Sequence, residues 1–302
     1  MPEFPSCFGE YGIQVSESVN GGRGTQNVVT CFYKANLAEA PCVITVNWCK
    51  TLGGQGLSVS IDDSSSECSC KVDMKPWLFW KKKGSKILDV GERKVEVHWD
   101  LSSAKYGSSP EPLEGFYLAV ICGCEVVLLL GNMLEGAHKR ALSLSPLHHR
   151  LKPTLISRTE HIVGKRFYST KAQFRENGSP HDIVIECQIA GKDPRFSLRI
   201  DRQLMLQVKR LMWKFRGNYT IMVDGLPVEL LWDVHNWLFN QSDNHAVFMF
   251  QVGARSPVVG KQDCASSASC IQWHQHNIAK KSPRQGEEVC GFSLLLYAWN
   301  SE

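Results

Sequence analysis

With 302 residues, 43% of them hydrophobic and 21% charged, the chain has the balance of a globular protein able to bury real cores, which excludes a disordered one. A formal net charge of +4 is too mild to predict a nucleic-acid partner. The longest apolar run, 116–130, is broken by Cys122-Gly123-Cys124-Glu125 and is too short to span a bilayer.

The opening MPEFPSCFGEYGIQ has neither a basic start nor an apolar stretch, so no secretory signal is read there. A cytoplasmic protein with its 12 cysteines reduced is expected. Cys68/Cys70 and Cys122/Cys124 are separated by one residue, which on a strand is ordinary packing. Residues 1–24 end in Asn20-Gly21-Gly22-Arg23-Gly24 and read as a flexible leader.

From Thr25 the text turns to β. Short segments rich in valine, isoleucine and threonine cover 27–37, 42–49, 57–62 and 67–74, separated by turn formers such as Gly53-Gly54-Gln55-Gly56. Segments 78–90 and 94–101 form a hairpin over Gly91-Glu92, and 116–121 and 125–130 form another. About eight strands in a simple meander thus make a first β unit over 25–131. Met133, Leu134, Ala137, Ala141 and Leu142 have helical spacing, so 132–154 reads as a short helix and linker.

A second β unit, 155–302, repeats the plan. Residues 79–106 and 212–239 align without a gap at an offset of 133, with 8 identities including Trp80/Trp213, Gly84/Gly217, Trp99/Trp232 and Asp100/Asp233. Strands are expected at 166–174, 182–189, 196–201 and 204–211, then the duplicated hairpin, then 246–252 and finally 292–299. Residues 253–290 form a long insertion between the last two. The fold class is therefore all-β: two tandem, related antiparallel meanders, barrel- or sandwich-like.

No catalytic signature stands out. Glu96, His98 and Asp100 share a strand face, but Leu231 replaces the histidine in the second copy, so an ordinary polar sheet face is the better reading. Within the insertion Cys264, Cys270, His274 and His276 have ligand chemistry at a spacing that fits no standard zinc pattern. No metal or cofactor is expected. Lys81, Lys83 and Lys86 of the first copy, with Lys214 and Arg216 of the second, form a basic row placed opposite Trp80 and Trp213, a candidate site for anionic lipid.

The runs NVVTCFYKANL, VITVNWCKTLGGQGLSVSIDD, CKVDMKPWLFWKKKGSKILDV, KVEVHWDLSSAKY, ISRTEHIVGKRFYSTKAQF, QVKRLMWKFRGNYTIMVDGLPVELLWDVHNWLF and GFSLLLYAW together resemble the plant-specific family called domain of unknown function 868. The resemblance covers most of 25–252 and the last strand, and implies a plant origin. It supplies no activity, cofactor or catalytic residue. The expected function is a non-enzymatic binding or interaction protein, its partner a protein or a small apolar ligand held in a barrel. The alternative is a module for anionic membrane surfaces. An enzyme using Asp100 or His98 comes third.

Overall fold

The period-two alternation of apolar residues is what the chain builds with. A computed structural model describes residues 27–37, 40–51, 54–63, 70–74, 82–123, 125–133, 153–175, 177–189, 191–240, 244–253 and 291–300. The first half holds β1 (Asn27–Leu37), β2 (Ala40–Thr51), β3 (Gly54–Asp63), β4 (Cys70–Met74), β5 (Lys83–Val90), β6 (Arg93–Asp100), the short β7 (Lys105–Tyr106) and β8 (Pro112–Glu114), β9 (Tyr117–Cys122) and β10 (Glu125–Gly131). The second half holds β11 (Thr154–Gly164), β12 (Phe167–Ala172), β13 (His181–Gln188), β14 (Arg195–Ile200), β15 (Gln203–Val208), β16 (Arg216–Val223), β17 (Leu226–Asp233), the single-turn α1 (His235–Phe239), β18 (His245–Val252) and β19 (Ser293–Asn300). The helix expected after Met133 and nearly all of the insertion fall outside the described residues.

One nine-stranded sheet, in the order β16-β17-β18-β19-β11-β1-β2-β3-β4, runs through both halves. A four-stranded sheet, β10-β9-β6-β5, packs on its β1–β3 end. A second, β12-β13-β14-β15, packs on its β16–β19 end. The cores are separate. Trp48, Ile44, Leu57, Ile61 and Leu118 fill the first, and Phe196, Phe248, Phe250, Tyr168 and Ile183 the second, each under 2% exposed. A large apolar side chain buried to this degree contributes about 1.5–3 kcal/mol.

Among the described residues no sheet closes into a barrel, which corrects the barrel form of the expected fold. The reason is β11. Closing the first meander would require β1 to pair with β10, but β11 takes that edge, antiparallel, through partners from Val28/His161 to Lys34/Thr154. On its other side β11 runs parallel to β19, from Ser157/Ser293 to Gly164/Asn300, and so blocks closure of the second meander too. Its sequence, TLISRTEHIVG, hides this role, because its centre is polar.

That polar centre is satisfied locally. The Ser293 hydroxyl bonds the Ser157 hydroxyl at 2.9 Å on the outer face. On the inner face Arg158 donates to Glu160 through Nε, and through Nη1 to Glu111 at 2.6 Å, beside the buried Cys31 thiol. Burial opposes charge on Arg158, yet Glu160 and Glu111 hold it firmly protonated. The same burial pushes Cys31 up to about 12, so its thiol stays neutral.

Candidate functional site

The β5–β6 and β16–β17 hairpins share their construction. β5 and β16 have the same burial pattern, two inward residues at the C-terminal end and a half-buried glycine second in the strand. Gly84 lies opposite Trp99, and Gly217 opposite Trp232. Lys83 pairs with Asp100 at 2.9 Å, and Arg216 with Asp233 at 2.9 Å. Each aspartate also accepts the backbone N–H two residues on, Ser102 or His235, at 3.0 Å. Burial opposes charge on Asp100, but the bonds from Lys83 and Ser102 outweigh it and hold the carboxyl below its ordinary range.

This changes the basic row read from sequence. Lys83 and Arg216 neutralise carboxylates of their own hairpins, and Arg216 also lies 5.5 Å from the Phe215 ring centre. Lys86 and Lys214 are exposed to solvent. Lys81 lies outside the described residues, as do Trp80, Cys264, Cys270, His274 and His276. The Glu96–His98–Asp100 face resolves into two separate ties, His98 Nε2 to Glu96 at 2.8 Å and Asp100 to Lys83. These groups do not converge on a common point.

Trp213 corrects the sequence reading most sharply. Expected to point inward, opposite Lys214 and Arg216, it is 86% exposed. Strand alternation does not apply there, because 209–215 is a turn between β15 and β16. Arg210 takes a positive φ of 58°, and its carbonyl accepts the N–H groups of Trp213 at 2.9 Å and Lys214 at 3.1 Å. The turn is anchored on both sheets. Leu211 is fully buried and its N–H reaches the Pro194 carbonyl at 3.0 Å, while Trp232 Nε1 donates to the Lys214 carbonyl at 3.1 Å. Arg210 N–H meets Asp193 Oδ1 at 3.2 Å.

Around this turn both sheets end, at β15 and at β16. The stretch 202–222 that spans this open edge contains Arg202, Lys209, Arg210, Lys214 and Arg216 and not one Asp or Glu. Lys209, Arg210 and Lys214 are exposed, with no carboxylate partner among the described residues. Between them stand the exposed Met212 and Trp213, and half-exposed Phe239 of α1 packs its ring 5.7 Å from that of Phe215, which follows Lys214 in the chain. Leu204 of β15 and Tyr219 and Met222 of β16 are half-exposed as well. Sequence reasoning singled out Lys214 and Arg216 but missed Lys209, Arg210 and Trp213. The acid-free run around a tryptophan was the signal available.

A second polar cluster lies at the far end of the same two strands. His181 is buried, and both its ring nitrogens face carboxylates: Nδ1 to Asp201 at 2.6 Å and Nε2 to Asp224 at 2.9 Å. The two aspartates sit in the β14–β15 and β16–β17 turns at φ of 49° and 51°. One imidazole thus ties the two sheets of the second sandwich together. The bond to Asp201, aided by Asp224, raises the His181 pKa, and the protonated ring can donate from both nitrogens.

No helix among the described residues is long and apolar enough to cross a membrane. No curated protein and no solved structure matches the chain. A family model does, over residues 24–300, and the chain belongs to that family, the plant proteins of unknown function designated DUF868.

Proposed function

We propose that this is a non-enzymatic binding protein whose working surface is the basic open edge of the second sandwich, directed at an anionic partner. The observation that carries this reading is the acid-free stretch 202–222, with Lys209, Arg210 and Lys214 exposed and unneutralised. Elsewhere Asp100 is tied to Lys83, Asp233 to Arg216, and His181 to Asp201 and Asp224 across strands. A cytoplasmic location belongs to the same proposal. So does a two-unit organisation, 25–131 and 155–302 being related copies, which the shared construction of the two hairpins supports.

The test compares two charge reversals of equal size on a polyanionic resin. Lys209→Glu with Lys214→Glu is expected to lower the salt concentration of elution well below that of wild type. Lys94→Glu with Lys165→Glu, at exposed sites away from the edge, should lower it much less. Equal losses from both pairs would show that only net charge matters and would sink the reading.

A further inference from the structure

Resting on that anionic-surface reading, we propose that the partner is a lipid bilayer and that Met212 and Trp213 are the side chains that enter it. The geometry of the turn separates this from a bare cationic patch. Here the backbone is pinned by the bonds of Leu211, Trp213 and Lys214 and by the buried Leu211 side chain, and the indole stands out in water at 86% exposure. Such an anchor is pre-organised, so little ordering remains to be done when it docks.

The surrounding chemistry fits the headgroup region. Indole rings favour the membrane–water boundary, where an apolar body and a polar N–H are both satisfied. Lys209, Arg210 and Lys214 flank the ring closely enough in sequence to meet phosphates while it sits below them. Nearby acids do not cancel them: Asp233 is taken by Arg216, and Asp193 is held against the Arg210 backbone. At the turn itself only two large apolar side chains, Met212 and Trp213, stand exposed. A stable contact with a folded protein needs roughly 800 Å² from each partner, whereas a bilayer yields around a protruding side chain.

The experiment uses the full chain and two vesicle preparations, phosphatidylcholine alone and phosphatidylcholine with phosphatidylserine, in co-sedimentation at low and high salt. Each cation near an anionic surface raises partitioning about fivefold, so Lys209→Glu with Lys214→Glu should lose binding by about 25-fold or more. Trp213→Ala should lose about tenfold without altering the circular dichroism spectrum, since the side chain packs on little. Vesicles brominated high in the acyl chains should quench wild-type tryptophan fluorescence more than that of Trp213→Phe.

Binding to the serine lipid that is unchanged in Trp213→Ala, with equal quenching in Trp213→Phe, would overturn insertion and leave the anionic-surface reading intact. Failure to bind vesicles alongside Lys209- and Lys214-dependent binding of a single-stranded oligonucleotide would also overturn the bilayer, placing the indole against bases instead. Binding to neither would sink both readings together.

Discussion

Gly217 gives up its side-chain space to the Trp232 indole. A Cβ on residue 217 would overlap Cζ2 of that ring outright and lie 2.8 Å from Cη2. Gly84 and Trp99 repeat the relationship more loosely, with the added carbon 2.8 Å from Cζ2. Both tryptophans are buried, at 6% and 7% exposure, so neither ring has an easy exit. Gly217→Ala is expected to destabilise by about 1–3 kcal/mol, the usual range for overpacking, and Gly84→Ala by less. Urea denaturation of the two variants checks the order; equal and negligible effects would show that the indoles shift freely.

Arg158 sits against the first core between two acids, Glu160 and Glu111. Its side chain is 14% exposed and that of Glu160 only 6%. Arg158→Met strands two carboxylates in a partly dry site, and a loss of about 3–5 kcal/mol is expected. Converting Glu111 and Glu160 to glutamine in the same chain should restore much of it. A single variant as stable as wild type would mean that the charges escape to solvent.

His181 gives a pH signature. Its folded pKa is raised above the ordinary 6.5, so its contribution is fully present below that pH and fades as pH climbs through the raised value. Asp201, held below its ordinary 3.8 chiefly by the bond to His181, contributes above that pH and loses its contribution as acid titrates it. The stability difference between wild type and His181→Gln should therefore be largest between about pH 4 and 6.5. Denaturation midpoints across pH 3 to 9 test this, and a flat difference would exclude the ionic tie.

His161 works in the opposite sense. It stacks on Tyr297 at 4.6 Å, accepts the Trp299 Nε1 proton at 3.3 Å, and is held down to about 4 by burial and by the neighbouring His245. An unfolded chain takes up a proton near 6.5 that the folded one refuses until about 4, so this group erodes stability as pH falls across that window. His161→Phe should remove the erosion and leave the His181 signature exposed. A titration of the imidazole by NMR giving an ordinary midpoint would refute the assignment.

Strand positions were legible in the sequence because period-two alternation reports burial directly. Val95, Val97 and Trp99 face the core in β6, as Val228, Leu230 and Trp232 do in β17, where the alternation placed them. The 133-residue offset also placed both glycine–tryptophan pairs and both aspartates before any coordinates. Three things were decided only by tertiary structure. β11 is absent from the expected strands, since Ser157, Arg158 and Glu160 are acceptable inside a sheet only when Ser293 and Glu111 arrive from remote segments to satisfy them. That strand, by pairing with both β1 and β19, joins the two halves through one sheet, while the breaks at β4/β5 and β15/β16 leave each half a sandwich. And Trp213 points outward because a turn, not a strand, carries it. Local pattern specifies which face a strand residue takes, but which edges meet, and where a turn aims its side chains, depends on contacts made across the fold.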